Sequence, residues 1–236
     1  MGRGRYPARL NVAPPPPELA ARYLHDWPGR ELYLHPECFP PLSSPGLFGD
    51  SRPLELDIGC ATGDLVLALA SAHPEANYVG VDIVAKPLWR AVERAARAGL
   101  SNVRFIHADA RLIYRTVPDG ALRAAYVHFP APLLRSRQRN QLLISAELLT
   151  QMERCLAPGG VLSVMTDHPE VHATLLNLLP LAPGLRLVEP AAWSSALTEV
   201  VKSHYHRRWE ARGRQIWRAE LVRCTNVAHP PAPPDP

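Results

Sequence analysis

Three short apolar runs, each closing on or beside an aspartate, constrain this chain more than any other feature. Leu54–Ile58 carries Asp57, Asn77–Ile83 carries Asp82, and Val103–His107 leads directly to Asp109. Helical periodicity fills the gaps, in Asp64–Ala72 and Pro87–Ala98, with Pro87 suited to a first helical position. The alternation continues. Arg123–Phe129 reads as a fourth strand, Gln138–Leu156 as a long amphipathic helix stopped at Pro158-Gly159-Gly160, Val161–Thr166 as a fifth strand and Pro169–Leu179 as a helix. Leu185–Val188, Glu199–Trp209 and Gln215–Arg223 read as further strands. Strands alternating with helices imply an α/β fold, a doubly wound parallel sheet with helices on both faces. Ligands bind such sheets beyond the C-terminal ends of the strands. That is where the three acids stand.

The first strand turns into its helix through Asp57-Ile-Gly59-Cys-Ala-Thr-Gly63-Asp64. Gly59 and Gly63 permit a tight turn and close approach of a ligand to the backbone. The dinucleotide fingerprint G-x-G-x-x-G needs a glycine where Ala61 stands, so a pyrophosphate cradle is disfavoured, and with it an oxidoreductase. The pattern suits a nucleoside with a small charged end. Asp82 ends the second strand and is placed to accept from ribose hydroxyls, with Ile83 beside it; Asp109 and Ala110 are placed to meet an adenine.

Composition narrows the partners. With 47% hydrophobic and 20% charged residues the chain is not globally disordered. No apolar run approaches the roughly 18 residues of a membrane span. Met1–Arg9 is basic but runs into Pro14–Pro17, not an apolar segment, so no secretory signal is expected and the expected location is the cytoplasm. Cys38, Cys60, Cys155 and Cys224 form no C-x-x-C pair, which argues against zinc and against a disulfide scaffold. Eleven of the 26 prolines fall in residues 1–53, so 1–50 reads as a Pro-rich arm and loop, with a helical turn or two at Glu18–Tyr23. Residues 51–226 read as the main domain and 227–236 as a tail. Positive charge is clustered: Arg135, Arg137 and Arg139 alternate, and Lys202 to Arg223 holds seven Lys/Arg against Glu210 and Glu220. Such clusters suit phosphates. Trp209 sits among Arg207, Arg208 and Arg212, where it can stack on a base; His128 and His168 read as structural histidines beside the site.

Four segments carry a resemblance. Tyr126-Val-His-Phe129-Pro130-Ala131-Pro132 looks like an F-P-D-P-W segment, Leu156-Ala-Pro-Gly-Gly160 with Thr166-Asp167 like L-x-P-G-G…T-D, Ser203-His-Tyr205-His206 with Gly213 like T-K-[FY]-E…G, and Leu47-Phe-Gly49 precedes the first strand. Over about residues 47–223 the chain resembles the bacterial tRNA (guanine-N7) methyltransferases, class I S-adenosylmethionine-dependent enzymes. The resemblance implies a Rossmann-like methyltransferase sheet, S-adenosyl-L-methionine as cofactor, tRNA as partner, and 7-methylguanosine at position 46 of the variable loop as product. It implies cofactor contacts for Asp57, Asp82 and Asp109. On the substrate side it implies Arg135, Asp167 and the stretch from Ser203 to His206; Arg137 and Arg139, beside Arg135, are expected as phosphate contacts from their charge pattern.

The chain departs from the family pattern. Ala131 replaces the acid of F-P-D-P-W, Leu133 its Trp, Gln138 a histidine of the following run, and Ser203 and His206 the Thr and Glu of T-K-[FY]-E. Guanine N7 is an unprotonated lone pair, so positioning supplies much of the rate and no general base is required. A carboxylate adds stabilisation of the positive charge growing on the base. With Ala131 in place of one acid, Asp167 is the remaining candidate for that catalytic role. A non-catalytic or retargeted paralogue, acting as an RNA-binding accessory protein, is the alternative reading.

Overall fold

Along three of the central strands, side chains enter two different hydrophobic clusters. Tyr78, Phe105, Ala124 and Tyr126 lie in one; Val79, Ile106, Ala125 and Val127 lie in the other. A strand with apolar groups on both faces must be covered twice, and the chain supplies a helical layer for each. The computed structural model describes residues 10–130, 143–189 and 202–225. Its strands are β1 (Leu24–Asp26), β2 (Leu54–Ile58), β3 (Asn77–Asp82), β4 (Val103–His107), β5 (Leu122–His128), β6 (Leu156–Thr166), β7 (Leu185–Leu187) and β8 (Trp217–Arg223). They form one sheet in the order β1-β4-β3-β2-β5-β6-β8-β7. Pairings from β1 to β6 are parallel; β8 runs antiparallel to both β6 and β7. The doubly wound expectation therefore holds, with two antiparallel pairings at one edge.

The helices are α1 (Pro17–Tyr23), α2 (Gly29–Leu34), α3 (Ser44–Phe48), α4 (Asp64–Ala72), α5 (Ala85–Arg97), α6 (Ala110–Ile113), α7 (Ala146–Cys155), α8 (Pro169–Leu178) and α9 (His204–Glu210). Helix α5 buries Leu88, Ala91, Val92 and Ala95. Those positions are spaced i, i+3, i+4, i+7, one face of a helix. With α4 and α1 it covers the Tyr78 face of the sheet, while α6, α7 and α8 supply buried residues to the other.

Three expectations need correction. Residues 204–209, expected as strand within Glu199–Trp209, are helical, because the Ser203 hydroxyl caps the helix by accepting from the His206 N–H at 3.2 Å. The long helix expected from Gln138 is described only from Ala146, where the Ser145 hydroxyl caps it; residues 138–142 lie outside the described part. The loop expected over Trp27–Pro53 contains α2 and α3, and Leu24–Asp26 just before it joins the sheet beside β4.

The strand order places β2 between β3 and β5. From β2 the chain winds outward through β3 to β4, then returns to β5 and continues to β6. That reversal opens a crevice at the C-terminal ends of β2 and β5.

Candidate active site

Five residues turn β2 into α4, and three of them are left-handed: Gly59 at φ 82°, Ala61 at φ 50° and Gly63 at φ 73°. Gly63 is needed on two counts. Its φ suits glycine, and a Cβ there would lie 3.0 Å from the Ala91 Cβ and 3.1 Å from the Phe105 ring. Ala61 takes a positive φ without being glycine, which costs roughly 1–2 kcal/mol. Its N–H donates to Asp82 Oδ2 at 2.9 Å, which holds it there. Asp82 Oδ1 accepts from the Val84 N–H at 2.8 Å. The acid at the end of β3 thus staples the loop after β2 to its own strand.

A cavity of about 360 Å³ opens at this crevice. Asp57, Gly59, Ala61 and Thr62 line one side. Ser203, Tyr205, Arg207 and Arg208 line another, with His128 from β5 and Leu10 from the N-terminal segment. Burial, helped by the nearby negative charges of Asp82 and Asp64, pushes the Asp57 carboxyl up to about 8. It accepts no hydrogen bond from a described residue. Asp64 is compensated differently, by Arg94 Nη1 at 2.5 Å. Burial, with Arg218 and His206 nearby, pushes His128 down to about 3, so its imidazole is neutral at physiological pH. Its Nε2 faces Ser163 Oγ at 3.2 Å. That matches the structural role expected of it, although it also walls the cavity.

Several of the remaining expected site residues fall at neighbouring strand ends. Asp82 is buried and does not line the cavity. Ile83, beside it, is 63% exposed, a large apolar side chain free to cover a flat ligand. Asp109 caps α6 by accepting from the Arg111 N–H at 3.0 Å, and the Arg111 guanidinium also grips it and holds its carboxyl below the usual range. Ala110 is the first residue of that helix. Asp167 follows β6 and accepts from Arg214 Nη1 at 2.6 Å. His206 packs edge-on against Phe129, 5.9 Å between ring centroids, and faces Glu210 at 3.4 Å. Arg135, Arg137 and Arg139 lie outside the described residues, as does Ala131. Residues missed in the sequence include Thr62, Arg207 and Arg208. The arginines had a signal, the basic run from Lys202; Leu10 had none, because nothing in a Pro-rich arm marks it for a cavity wall. Among the described residues no group of His, Cys, Asp or Glu is arranged to hold a metal, and no helix is long and apolar enough to cross a membrane.

A family described as "Putative methyltransferase" matches residues 51–219. A tRNA (guanine-N(7)-)-methyltransferase of Chloroflexus aurantiacus is 59% identical over 216 residues, 92% of this chain and 95% of the relative. The chain belongs to the tRNA (guanine-N7)-methyltransferase family. A second relative of that name, from Rubrobacter xylanophilus, is 45% identical over 91% of this chain and 96% of its own length. Among solved structures, a 16S rRNA (adenine(1408)-N(1))-methyltransferase with cosubstrate SAM shares the fold at a TM-score of 0.52 and 18% identity, covering 78% of this chain and 90% of that one. Within the tRNA (guanine-N7)-methyltransferase family pattern, two separate segments of this chain meet at one cavity: the D-x-G-x-x-x-G loop after β2 and the Ser203–His206 segment that begins α9.

Proposed function

We propose that this protein transfers the methyl group of S-adenosyl-L-methionine to N7 of guanosine 46 in the variable loop of tRNA. The observation that carries the reading is the shared cavity: the loop of Asp57 and the segment of Ser203 and Tyr205 line the same space. The residues present fit the cofactor. A buried carboxyl without a donor among the described residues, Asp57, matches a cationic ammonium group, and the volume falls within the usual range for a small-molecule site. When bound, the cofactor supplies an electrophilic methyl group on a sulfonium sulfur.

The chain's own work is then placement. Asp57 and the Gly59–Gly63 loop hold the charged end. The Asp82 carboxylate, off the cavity wall and fixed by the N–H groups of Ala61 and Val84, orders the loop that faces the ligand and is the proposed acceptor for the ribose hydroxyls. Ile83 covers the adenine, with Asp109 and Ala110 at its edge. On the substrate side, N7 presents a lone pair and no proton needs removing, so a neutral His128 is no handicap. Asp167 offsets the positive charge that develops on the base. Arg214 shares that carboxylate, so the field felt by guanine is what remains after the pairing. Ser203 and His206 fix the start of α9 against the cavity, and Arg135, Arg137 and Arg139 take phosphates. The catalytic domain is 51–226, with β1 and Leu10 of the N-terminal segment joined to its sheet and cavity, and its place is the cytoplasm, with its tRNA.

The test uses purified protein, S-adenosylmethionine with a labelled methyl group and two tRNA transcripts, one with guanosine and one with adenosine at position 46. Nucleoside mass spectrometry is expected to find labelled 7-methylguanosine in the first alone. Label in both would refute the position, and label in neither would refute the enzymatic reading.

A further inference from the structure

The turn that ends α9 gathers positive charge around one indole. The Arg214 N–H donates to the Trp209 carbonyl at 3.0 Å, the Gly213 N–H donates to the Glu210 carbonyl at 2.9 Å, and Gly213 is left-handed at φ 63°. These two bonds around a left-handed glycine make a Schellman turn, which sets the residue after the glycine against the one five positions before it. Those residues are Arg214 and Trp209, and the Arg214 Cζ lies 4.3 Å from the ring centroid. Arg212 and Arg208 approach the same ring at 5.3 and 5.4 Å. Arg208 also lines the cavity, and Arg214 reaches Asp167. Among the described residues neither Arg208 nor Arg212 has a carboxylate partner, and all three arginines are exposed. Three guanidinium groups crowded on one ring repel each other, and among the described residues a single acid, Asp167, compensates them. An anion would relieve the repulsion.

We infer that Arg208, Arg212 and Arg214, arrayed on Trp209, form a clamp for backbone phosphates of the RNA beside the cavity. The inference rests on tRNA being the substrate. Trp209 is the pedestal of this clamp and not a platform for a base, because Arg214 already covers its ring. Arginine suits the task, since its planar fork pairs with phosphate oxygens while its flat face rests on an aromatic ring.

Binding of unmodified tRNA is measured across salt concentrations, separately from methylation. Removing one phosphate-binding arginine should flatten the slope of log affinity against log salt by roughly 0.7–0.9. Arg212→Gln is expected to flatten it by about that amount and to weaken binding severalfold at low salt, while binding of S-adenosylmethionine measured by calorimetry stays unchanged. The triple Arg208→Gln, Arg212→Gln, Arg214→Gln variant should flatten it by about three times as much. Trp209→Ala should weaken tRNA binding, and Trp209→Phe, which keeps a ring under the arginines, should recover most of the loss. Unchanged slopes in the arginine variants, or a wild-type protein without affinity for tRNA, overturn the clamp. A loss in Trp209→Ala that Phe fails to restore, with the arginine variants silent, overturns it in favour of base stacking. A wild type that grips tRNA through these arginines yet forms no 7-methylguanosine supports the clamp and refutes the enzymatic reading.

Discussion

Asp57 is held protonated by the environment that makes it useful. Its carboxyl sits at about 8, raised by burial and by Asp82 and Asp64, against the ordinary range near 4. A folded-state value above the unfolded one means that the native protein keeps a proton the unfolded chain has released. The stability this lends is full below the usual carboxylate range and is lost as pH rises from about 4 to about 8. Asp57→Asn keeps the shape and cannot ionise. It is expected to match or exceed the wild type in stability, by a margin growing by about 1 kcal/mol per pH unit between pH 5 and 8. S-adenosylmethionine should narrow that margin, because its ammonium group favours the ionised Asp57 and gains nothing from Asn. Calorimetric unfolding at several pH values, with and without the cofactor, reads both effects; a margin independent of pH would sink the assignment. That Asp57 stands at the cavity is legible from its place before Gly59. Its protonation is not, since it depends first on burial and then on the charges of Asp82 and Asp64, which the fold sets around it.

Helix α9 shows what composition hides. Tyr205, His206 and Trp209 fit a strand by residue type, but the punctuation is helical, with Ser203 at the start and Gly213 past the end. End signals decide here because the segment is too short for its period to show. The same limit applies to Leu24–Asp26, three residues that become a strand only because β4 offers an open edge. The longer elements, β2 through α5, were legible because each repeats its period several times. Glu55 was not legible as a buried acid, since its partners, Arg123 Nε at 2.7 Å and the Tyr126 hydroxyl at 2.8 Å, lie on another strand. Gly213 gives the element its test. A Cβ there would meet nothing within 4 Å, so Gly213→Ala costs only its backbone conformation, about 1 kcal/mol. Gly49 ends α3 with a similar φ of 73° and equally open space. Gly49→Ala is expected to cost about as much stability in urea unfolding and leave tRNA affinity alone, while Gly213→Ala weakens both. Equal tRNA affinity in the two variants would show that the turn has no part in binding RNA.

At the scale of the whole molecule, the N-terminal segment belongs to the core that the sequence assigned to later residues. Trp27 is 3% exposed, its N–H donates to the His107 carbonyl at 3.0 Å, and its ring lies 5.4 Å from that of Phe39. Trp27→Ala is expected to destabilise the protein by about 3–5 kcal/mol, measured by urea unfolding, with the cofactor affinity of the folded fraction unchanged. A loss under about 1 kcal/mol would mean that this segment merely rests on the domain. The opposite edge works otherwise. Strand β8 enters between β6 and β7, its Trp217 paired with Thr166, and so sets Arg214 across from Asp167. Synthesis runs from the N-terminus, and domains fold in that order as they emerge. The loop of Asp57 is therefore made long before the strand that completes the other half of the site. Since that half supplies Ser203, Tyr205, Arg207 and Arg208 to the same cavity, the early loop has one wall and no pocket, and the nucleoside and RNA sites are expected to arise together when β8 pairs with β6.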